Sequence, residues 1–483
     1  MELKDKVVRG VAWSAAEKIG SMLLQMAVSF ILAGLLVPED YGTIAILTVF
    51  STISLLIVDS GYSQALIRKP DPTQQDYTSV FAFNLCASVV LYGILVAASY
   101  PLAQYYNRPE ITHVAPVLFL VLPVNALCVI QNTILTRKFD FRRLSTITFF
   151  SSMIAGIAAI AMALLGAGLW ALVWQRVLTL VAKAIMLWLF GSWRPSGRIS
   201  TSPLRQMAPY SYRLLATDML TGIYNNVAAL FIGRMYTLSQ LGYFSQAQKL
   251  KDLPVTSTVQ AVQNVTFPAM SNITDDEAKF AESFRKVLLV TGFVMIPMML
   301  GLIAVADDMF EMLGQKWMPT VPYFRIFCLT GITTPIAMIA YNTLKVRSNG
   351  RIIFRLEILK KSIMTLMFII TIPISIKAVV WGMAAMSAVE MALTFHATRR
   401  YTTLRARRVA HDLFAPTLIA VVMAGCVTAM NLVDQAWHPI ARLAAEVPLG
   451  AAVYIGLSAL FRLEGFAEMM AIVKGLHSKI TKA

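Results

Sequence analysis

"VAWSAAEKIGSMLLQMAVSFILAG", residues 11–34, is long and apolar enough to cross a bilayer. A helix rises about 1.5 Å per residue, so about 20 residues cover a hydrocarbon core ~30 Å thick. Runs of this kind recur from end to end of the chain. Of its 483 residues, 57% are hydrophobic and 14% charged, whereas soluble globular chains run near 25% charged. These features predict an all-α polytopic membrane protein. The first run lacks a small-residue cleavage site after a short apolar core, so it reads as a retained helix and not a secretory signal peptide.

Fourteen spans are predicted: 11–36, 41–62, 78–100, 114–136, 144–165, 169–190, 210–235, 241–267, 287–306, 321–344, 356–376, 378–398, 412–432 and 443–461. Loop charge orients them. The N-terminal Lys4, Lys6 and Arg9, the pair Arg68 and Lys69, and the group Arg137, Lys138, Arg142 and Arg143 fall on one side. So do Arg194, Arg198, Arg205, Lys345, Arg399, Arg400 and the terminal Lys474, Lys479 and Lys482. The other side carries short loops such as "VPED" and "GAG" and the acidic Asp307, Asp308 and Glu311, with few bases beyond Arg108 and Lys316. Basic loops stay cytoplasmic, so both termini are expected inside. The same rule accounts for the net charge of +16 without a nucleic-acid partner.

The loops leave no room for a soluble catalytic or nucleotide-binding domain. There is no GxxxxGK[ST] loop, no HExxH and no paired His/Cys set, so no cofactor, metal or enzymatic reaction is expected. Cys86, Cys128, Cys328 and Cys426 sit in or beside apolar runs and read as small buried hydrophobes.

An internal repeat divides the chain. "LVPEDYGTIA" (36–45) and "YTLSQLGYFS" (236–245) place Gly42 and Gly242 at an offset of 200. The pairs Ser21/Thr221, Gln25/Asn225 and Lys18/Asp218 share that offset. Asn132-Thr133 and Asn342-Thr343 match at 210, and Trp170 and Trp381 at 211. Each copy holds six spans, so the copies enter the membrane in the same orientation and are related by an axis along its normal. The expected organisation is two pseudo-symmetric lobes, 1–200 and 201–400, followed by spans thirteen and fourteen in 401–483.

Polar residues form stripes on several spans. Ser14, Lys18, Ser21, Gln25 and Ser29 share one face of the first helix, with Glu17 at its edge. Span seven carries Arg213, Thr217, Thr221 and Asn225 beside Asp218, and span six carries Arg176, Thr179 and Lys183. Span eight carries Ser245, Lys249, Asp252, Thr256, Gln260 and Gln263, and span twelve Ser387, Glu390 and Thr394. A charge facing lipid costs a few kcal/mol, so such stripes face one another or a water-filled cavity. Two readings of Glu17 and Lys18 stand: they line the cavity, or Lys18 snorkels to the headgroups while the pair neutralises itself. Lys18, Gln25, Arg176, Lys183, Arg213, Asn225 and Lys249 are the candidate substrate-binding residues of a mostly cationic lumen, which suits a phosphate-bearing substrate. Glu17, Asp59, Asp218, Asp252 and Glu390 are candidates for a coupling H+ or Na+, against the alternative that each pairs with a nearby base.

The segments "PEDYGTIAI" (38–46), "LTRKFDFRRLS" (135–145), "LGYFSQAQKLKDLP" (241–254) and "FPAMS" (267–271) resemble bacterial polysaccharide flippases of Wzx type, in the colanic acid exporter branch. These belong to the multidrug/oligosaccharidyl-lipid/polysaccharide exporter superfamily. The resemblance covers roughly residues 5–480. It implies a V-shaped pair of lobes in the bacterial inner membrane. It implies that an undecaprenyl-pyrophosphate-linked oligosaccharide is carried between leaflets for cell-surface polysaccharide, lipopolysaccharide or O-antigen synthesis. Membrane lipids and polysaccharide assembly proteins are the further partners it implies, with spans thirteen and fourteen offering the lipid tail a groove. A multidrug cation antiporter of the same fold is the main alternative. It needs an acidic pocket where spans one and six are basic. A scaffold leaves the intramembrane charges without a role, and a glycan polymerase lacks its large external loop here.

Overall fold

The computed structural model describes residues 20–271, 277–347, 350–402, 406–433 and 437–471. Among them the regular elements are helices and there is no strand. The chain divides into two compact units, Met1–Ser245 and Gln246–Ala483.

The first unit contains α1 (Gly20–Leu35), α2 (Pro38–Asp59), α3 (Tyr62–Arg68), α4 (Gln74–Tyr105), α5 (Glu110–Leu118), α6 (Val121–Arg137), α7 (Phe141–Leu164), α8 (Leu169–Phe190) and α9 (Thr201–Met235). The unit boundary falls inside α10 (Leu238–Ser271). The second unit continues with α11 (Glu277–Ala304), α12 (Ala306–Glu311), a 3-10 turn (Gln315–Thr320), α13 (Val321–Arg347), α14 (Gly350–Thr371), α15 (Ile376–Thr398), α16 (Ala406–Val433) and α17 (Pro439–Leu460). A further helical segment covers 464–471.

Local chemistry sets the helix ends. Pro38 opens α2 with Glu39 and Asp40 in its first turn, where a fixed φ and negative charge both favour a helix start. Thr73 caps α4 in a capping box: Asp76 N donates to Thr73 Oγ1 at 3.3 Å and Thr73 N donates to Asp76 Oδ2 at 2.7 Å. Ser60 and Gly61, both at positive φ, break α2 from α3. The "GAG" loop turns on Gly166 and Gly168 at φ 80° and 53°.

Among the described residues, ten helical stretches are long and apolar enough to cross a membrane. They cover ten of the predicted spans, the second to sixth, ninth, tenth and twelfth to fourteenth. Helices α1, α9, α10 and α14 occupy the remaining four ranges. The described part of α1 is short, and α9 and α10 carry the polar stripes, which lowers their mean hydropathy. Large apolar side chains stay exposed along α4 (Val89, Val90, Ile94), α14 (Leu366, Ile369, Ile370) and α16 (Phe414, Leu418, Val421). Lipid tails are as apolar as these side chains, so such faces need no protein cover. Cys86 and Cys426 lie on exposed helix faces, whereas Cys128 and Cys328 are buried. The expectation of four buried cysteines thus holds for two.

Each unit packs around aromatic side chains. In the first, Tyr62, Phe81 and Trp193 are buried together with Trp188 against them. In the second, Phe280, Phe284 and Leu288 of α11 pack with Ile336 and Ile339 of α13, and Phe293 packs on Tyr454 of α17. The pairing of helices recurs. In the first unit α4 packs on α6, α6 on α8 and α7 on α8. In the second, α11 packs on α13, α13 on α15 and α14 on α15. These are the same pairs one repeat later.

Candidate functional site

In the first unit, α9 presents its polar stripe outward: Arg213, Thr217, Asp218, Thr221 and Asn225 are all exposed. The Thr217 hydroxyl donates to Arg213 O at 3.0 Å and that of Thr221 to Thr217 O at 2.9 Å. These bonds turn the hydroxyls along the helix while leaving their acceptor sites open. Asp218 lies close enough to Asp59, near the end of α2, to interact with it electrostatically. Asp59 Oδ1 also accepts from Ser63 N at 3.4 Å and from the Ser63 hydroxyl. The fold therefore brings two candidate ion-coupling carboxylates, 159 residues apart in sequence, to one place.

Gln25 on α1 and Arg176 on α8 are exposed, and Lys183 is half-buried near the thiol of Cys128. Arg176 and Lys183 sit two turns apart, about 10 Å along one helix face. Glu17, Lys18 and Ser14 lie outside the described residues.

In the second unit the predicted residues meet partners. Glu390 of α15 accepts from Lys360 Nζ of α14 at 2.7 Å. Lys360 also reaches Glu357 at 3.2 Å and stands over the Tyr341 ring at 4.8 Å. Its side chain is 6% exposed, so the ammonium is held in a low-dielectric site by two carboxylates and a ring face. Ser387, one turn before Glu390, lies 2.5 Å from the Thr333 hydroxyl and 3.2 Å from that of Thr334. The stripe on α15 thus faces α13 and α14 of its own unit. Asp252 on α10 pairs with the adjacent Lys251 at 2.5 Å. Lys251 is nearly buried and lies over the Phe327 ring at 5.8 Å. Lys249 is exposed. The side chains of Gln260 and Gln263 lie outside the described residues.

Sequence reading did not single out Lys251, Lys360, Glu357 or Tyr341. The i, i+3 spacing of Glu357 and Lys360 was a usable signal; nothing local marks Tyr341. It counted Arg285 only among the bases of the inner side and gave it no partner, yet its Nε donates to Asp412 Oδ2 at 2.6 Å and its Nη1 and Nη2 donate to Glu464 at 2.9 and 2.5 Å. That guanidinium ties α11, α16 and the 464–471 segment together.

Two open cavities fall within the first unit. One, of about 420 Å³, is lined by Glu39, Asp40, Arg108, Glu110 and His113 among others. The other, of about 530 Å³, joins Arg142, Arg143 and Asp140 to the apolar Ile147, Phe150 and Phe190. None of the candidate cavity residues lines either. Among the described residues no group of three or more His, Cys, Asp and Glu could hold a metal ion.

Residues 31–322 match the model of a family described as polysaccharide biosynthesis protein. The succinoglycan biosynthesis transport protein ExoT of Rhizobium meliloti (strain 1021) is 26% identical over 332 residues, covering 68% of this chain and 67% of that protein. The lipopolysaccharide biosynthesis protein WzxC of Escherichia coli (strain K12) is 23% identical over 370 residues, 74% of each chain. Among solved structures, the lipid II flippase MurJ in an inward closed conformation is similar with a TM-score of 0.72 at 15% identity, covering 93% of this chain and 98% of that one. An inward-facing multidrug resistance transporter of the MATE family gives 0.59 at 15% identity, covering 82% and 98%. At such identities these two structures share a fold with this chain, and nothing finer follows from them.

Proposed function

The chain belongs to the polysaccharide biosynthesis protein family, and we propose that it is a flippase for a lipid-linked oligosaccharide destined for the bacterial cell surface. The observation that carries this reading is the family match over 31–322, reinforced by relatives named for succinoglycan transport and lipopolysaccharide biosynthesis. The pyrophosphate head of an undecaprenyl-linked glycan enters a cationic cavity lined by Lys18, Gln25, Arg176, Lys183, Arg213, Asn225 and Lys249. Charge-assisted bonds hold the phosphates, and the hydroxyls and amides of α9 supply hydrogen bonds to sugars. Two six-helix lobes, 1–200 and 201–400, alternate access to the two membrane faces. The helices of 401–483 flank them and guide the lipid. The protein spans the inner membrane with both termini cytoplasmic and performs no covalent chemistry. H+ or Na+ drives the cycle through a carboxylate drawn from Glu17, Asp59, Asp218, Asp252 and Glu390, and assembly proteins receive the glycan outside.

The exposed carboxylate of Asp218 beside Asp59 suits a cation better than does Asp252 or Glu390, each already paired with a lysine. A multidrug or cation antiporter of the same fold needs an acidic pocket in its first six helices. The basic α8, with Arg176 and Lys183, argues against it.

Deleting the gene in its native host tests the proposal. Lipid-linked glycan should accumulate on the inner face of the membrane and the surface polysaccharide should disappear. Unchanged glycan on both faces, together with increased sensitivity to organic cations, would favour the antiporter.

A further inference from the structure

The second unit holds a buried acidic pair that none of the candidate residues includes. Glu446 of α17 and Asp308 of α12 are each 1% exposed. Helices α12 and α17 pack together, and the Glu446 and Asp308 carboxyls are close enough to interact electrostatically. Both Glu446 oxygens and Asp308 Oδ2 meet no hydrogen-bond donor among the described residues. Arg442, one turn before Glu446, donates from Nη1 to Asp308 Oδ1 at 2.9 Å and from Nη2 to Glu311 Oε2. That guanidinium therefore holds two carboxylates, Asp308 and Glu311, while Glu446 receives no hydrogen bond from it, and its Nε has no acceptor among the described residues.

We propose that Asp308 and Glu446 share one proton and form a buried proton-binding site between α12 and α17. Two ionised carboxylates cannot lie together away from water without a compensating charge or proton. One proton resolves the arrangement. The carboxylic acid O–H on one residue donates to a carboxylate oxygen of the other, so one orphaned oxygen becomes a donor and a second gains one. A metal ion is the poorer occupant. It needs several ligands and a negative surround, whereas Arg442 already fills one side of the site with positive charge.

Among the described residues, Arg442 is the base that pairs with Asp308. Asp307 on α12 is paired with Arg325 of α13 at 2.6 Å. Lys316 stands on the 3-10 turn packed against α12. The last turns of α11 (residues 297–304) and the described side chains in the last turns of α16 (424–430) carry no ionisable group other than the Cys426 thiol. The proton is thus what allows α17 to seat on α12: its loss leaves two carboxylates in contact and weakens the docking of the last long helix. The orientation proposed above turns this end toward the outside, but the site itself rests neither on that orientation nor on the cargo.

Infrared difference spectroscopy of the full chain in lipid nanodiscs tests this. Wild-type protein at neutral pH should show the carbonyl stretch of a protonated carboxylic acid. Glu446→Gln should remove it, and Asp308→Asn should move its frequency by changing the hydrogen-bond partner. No such band in wild type, or a band unmoved in either variant, overturns the proposal. Thermal unfolding gives a second readout. The wild-type midpoint should fall as pH rises through the titration of the shared proton. Glu446→Gln, whose amide cannot ionise, should lose that slope; an identical slope in both proteins also overturns it.

Discussion

Gly42 and Gly242, two hundred residues apart, make the same contact with each other's copy of one motif. A Cβ on Gly42 would overlap the carbonyl oxygen of Leu238, and a Cβ on Gly242 would overlap that of Pro38. Pro38 and Leu238 are themselves equivalent at the repeat offset. So are Glu39 and Ser239, and the Ser239 hydroxyl donates to Glu39 Oε1. Such reciprocity, residue i on j and j on i, is what a local two-fold axis produces. It identifies why the motif needs glycine there: the first turns of α2 and α10 meet backbone to backbone.

Substituting these glycines should therefore be costly. Gly42→Ala or Gly242→Ala should each destabilise the protein by about 1–3 kcal/mol, the usual cost of overpacking. A cysteine pair at Glu39 and Ser239 should cross-link readily in the parent and poorly in either alanine variant. Equally ready cross-linking in all three proteins would show that the close approach does not depend on the glycines, and none in the parent would show that it is not maintained in the membrane.

Arg176→Ala with Lys183→Ala should abolish glycan export while leaving protein abundance in the membrane unchanged. Arg176→Lys separates two roles. Export close to wild type means that charge alone is needed; a loss close to that of Arg176→Ala means that a planar bidentate contact to phosphate is needed. Normal export by the double variant would remove both residues from the substrate path.

The Lys360–Glu390 pair should matter more through its buried member. Lys360→Met leaves Glu357 and Glu390 without their cation, and Glu390→Gln leaves Lys360 with Glu357. Glu390 is 45% exposed at its side chain, so water screens its loss and Glu390→Gln should cost about 1 kcal/mol or less. Lys360→Met should cost more. A double-mutant cycle on unfolding midpoints in detergent measures the coupling, and a coupling of zero would mean that the two helices are held by their apolar contacts alone.

Arg285→Lys should destabilise despite keeping the charge. One ammonium cannot reproduce the fork that joins Asp412 to both oxygens of Glu464. A loss of about 1.5–3 kcal/mol is expected, the range for hydrogen bonds to charged groups. Limited proteolysis should then cut after Leu463 more readily than in wild type, although Lys286–Glu468 and the packing of Phe466 on Phe293 still hold 464–471 to α11.

The sequence by itself determined that this is a helical membrane protein, because the length of an apolar run and the thickness of a bilayer are both properties of one segment at a time. It also determined the repeat, since Gly42 and Gly242 keep their offset whatever surrounds them. Helical periodicity placed Arg213, Thr217, Thr221 and Asn225 on one exposed face of α9. What it could not encode is which helix meets a given face. Glu390 and Lys360 read as separate charges until α14 packs on α15, and Asp59 and Asp218 until α2 packs on α9. Asp252 reads either as a coupling carboxylate or as the partner of a nearby base, and the structure pairs it with Lys251, because a flexible side chain can fold round the helix to its neighbour. Asp308 and Glu446 drew no notice as a pair, one in an acidic loop and the other on the last long helix. Only tertiary packing, which removes water from both at once, turns them into a site.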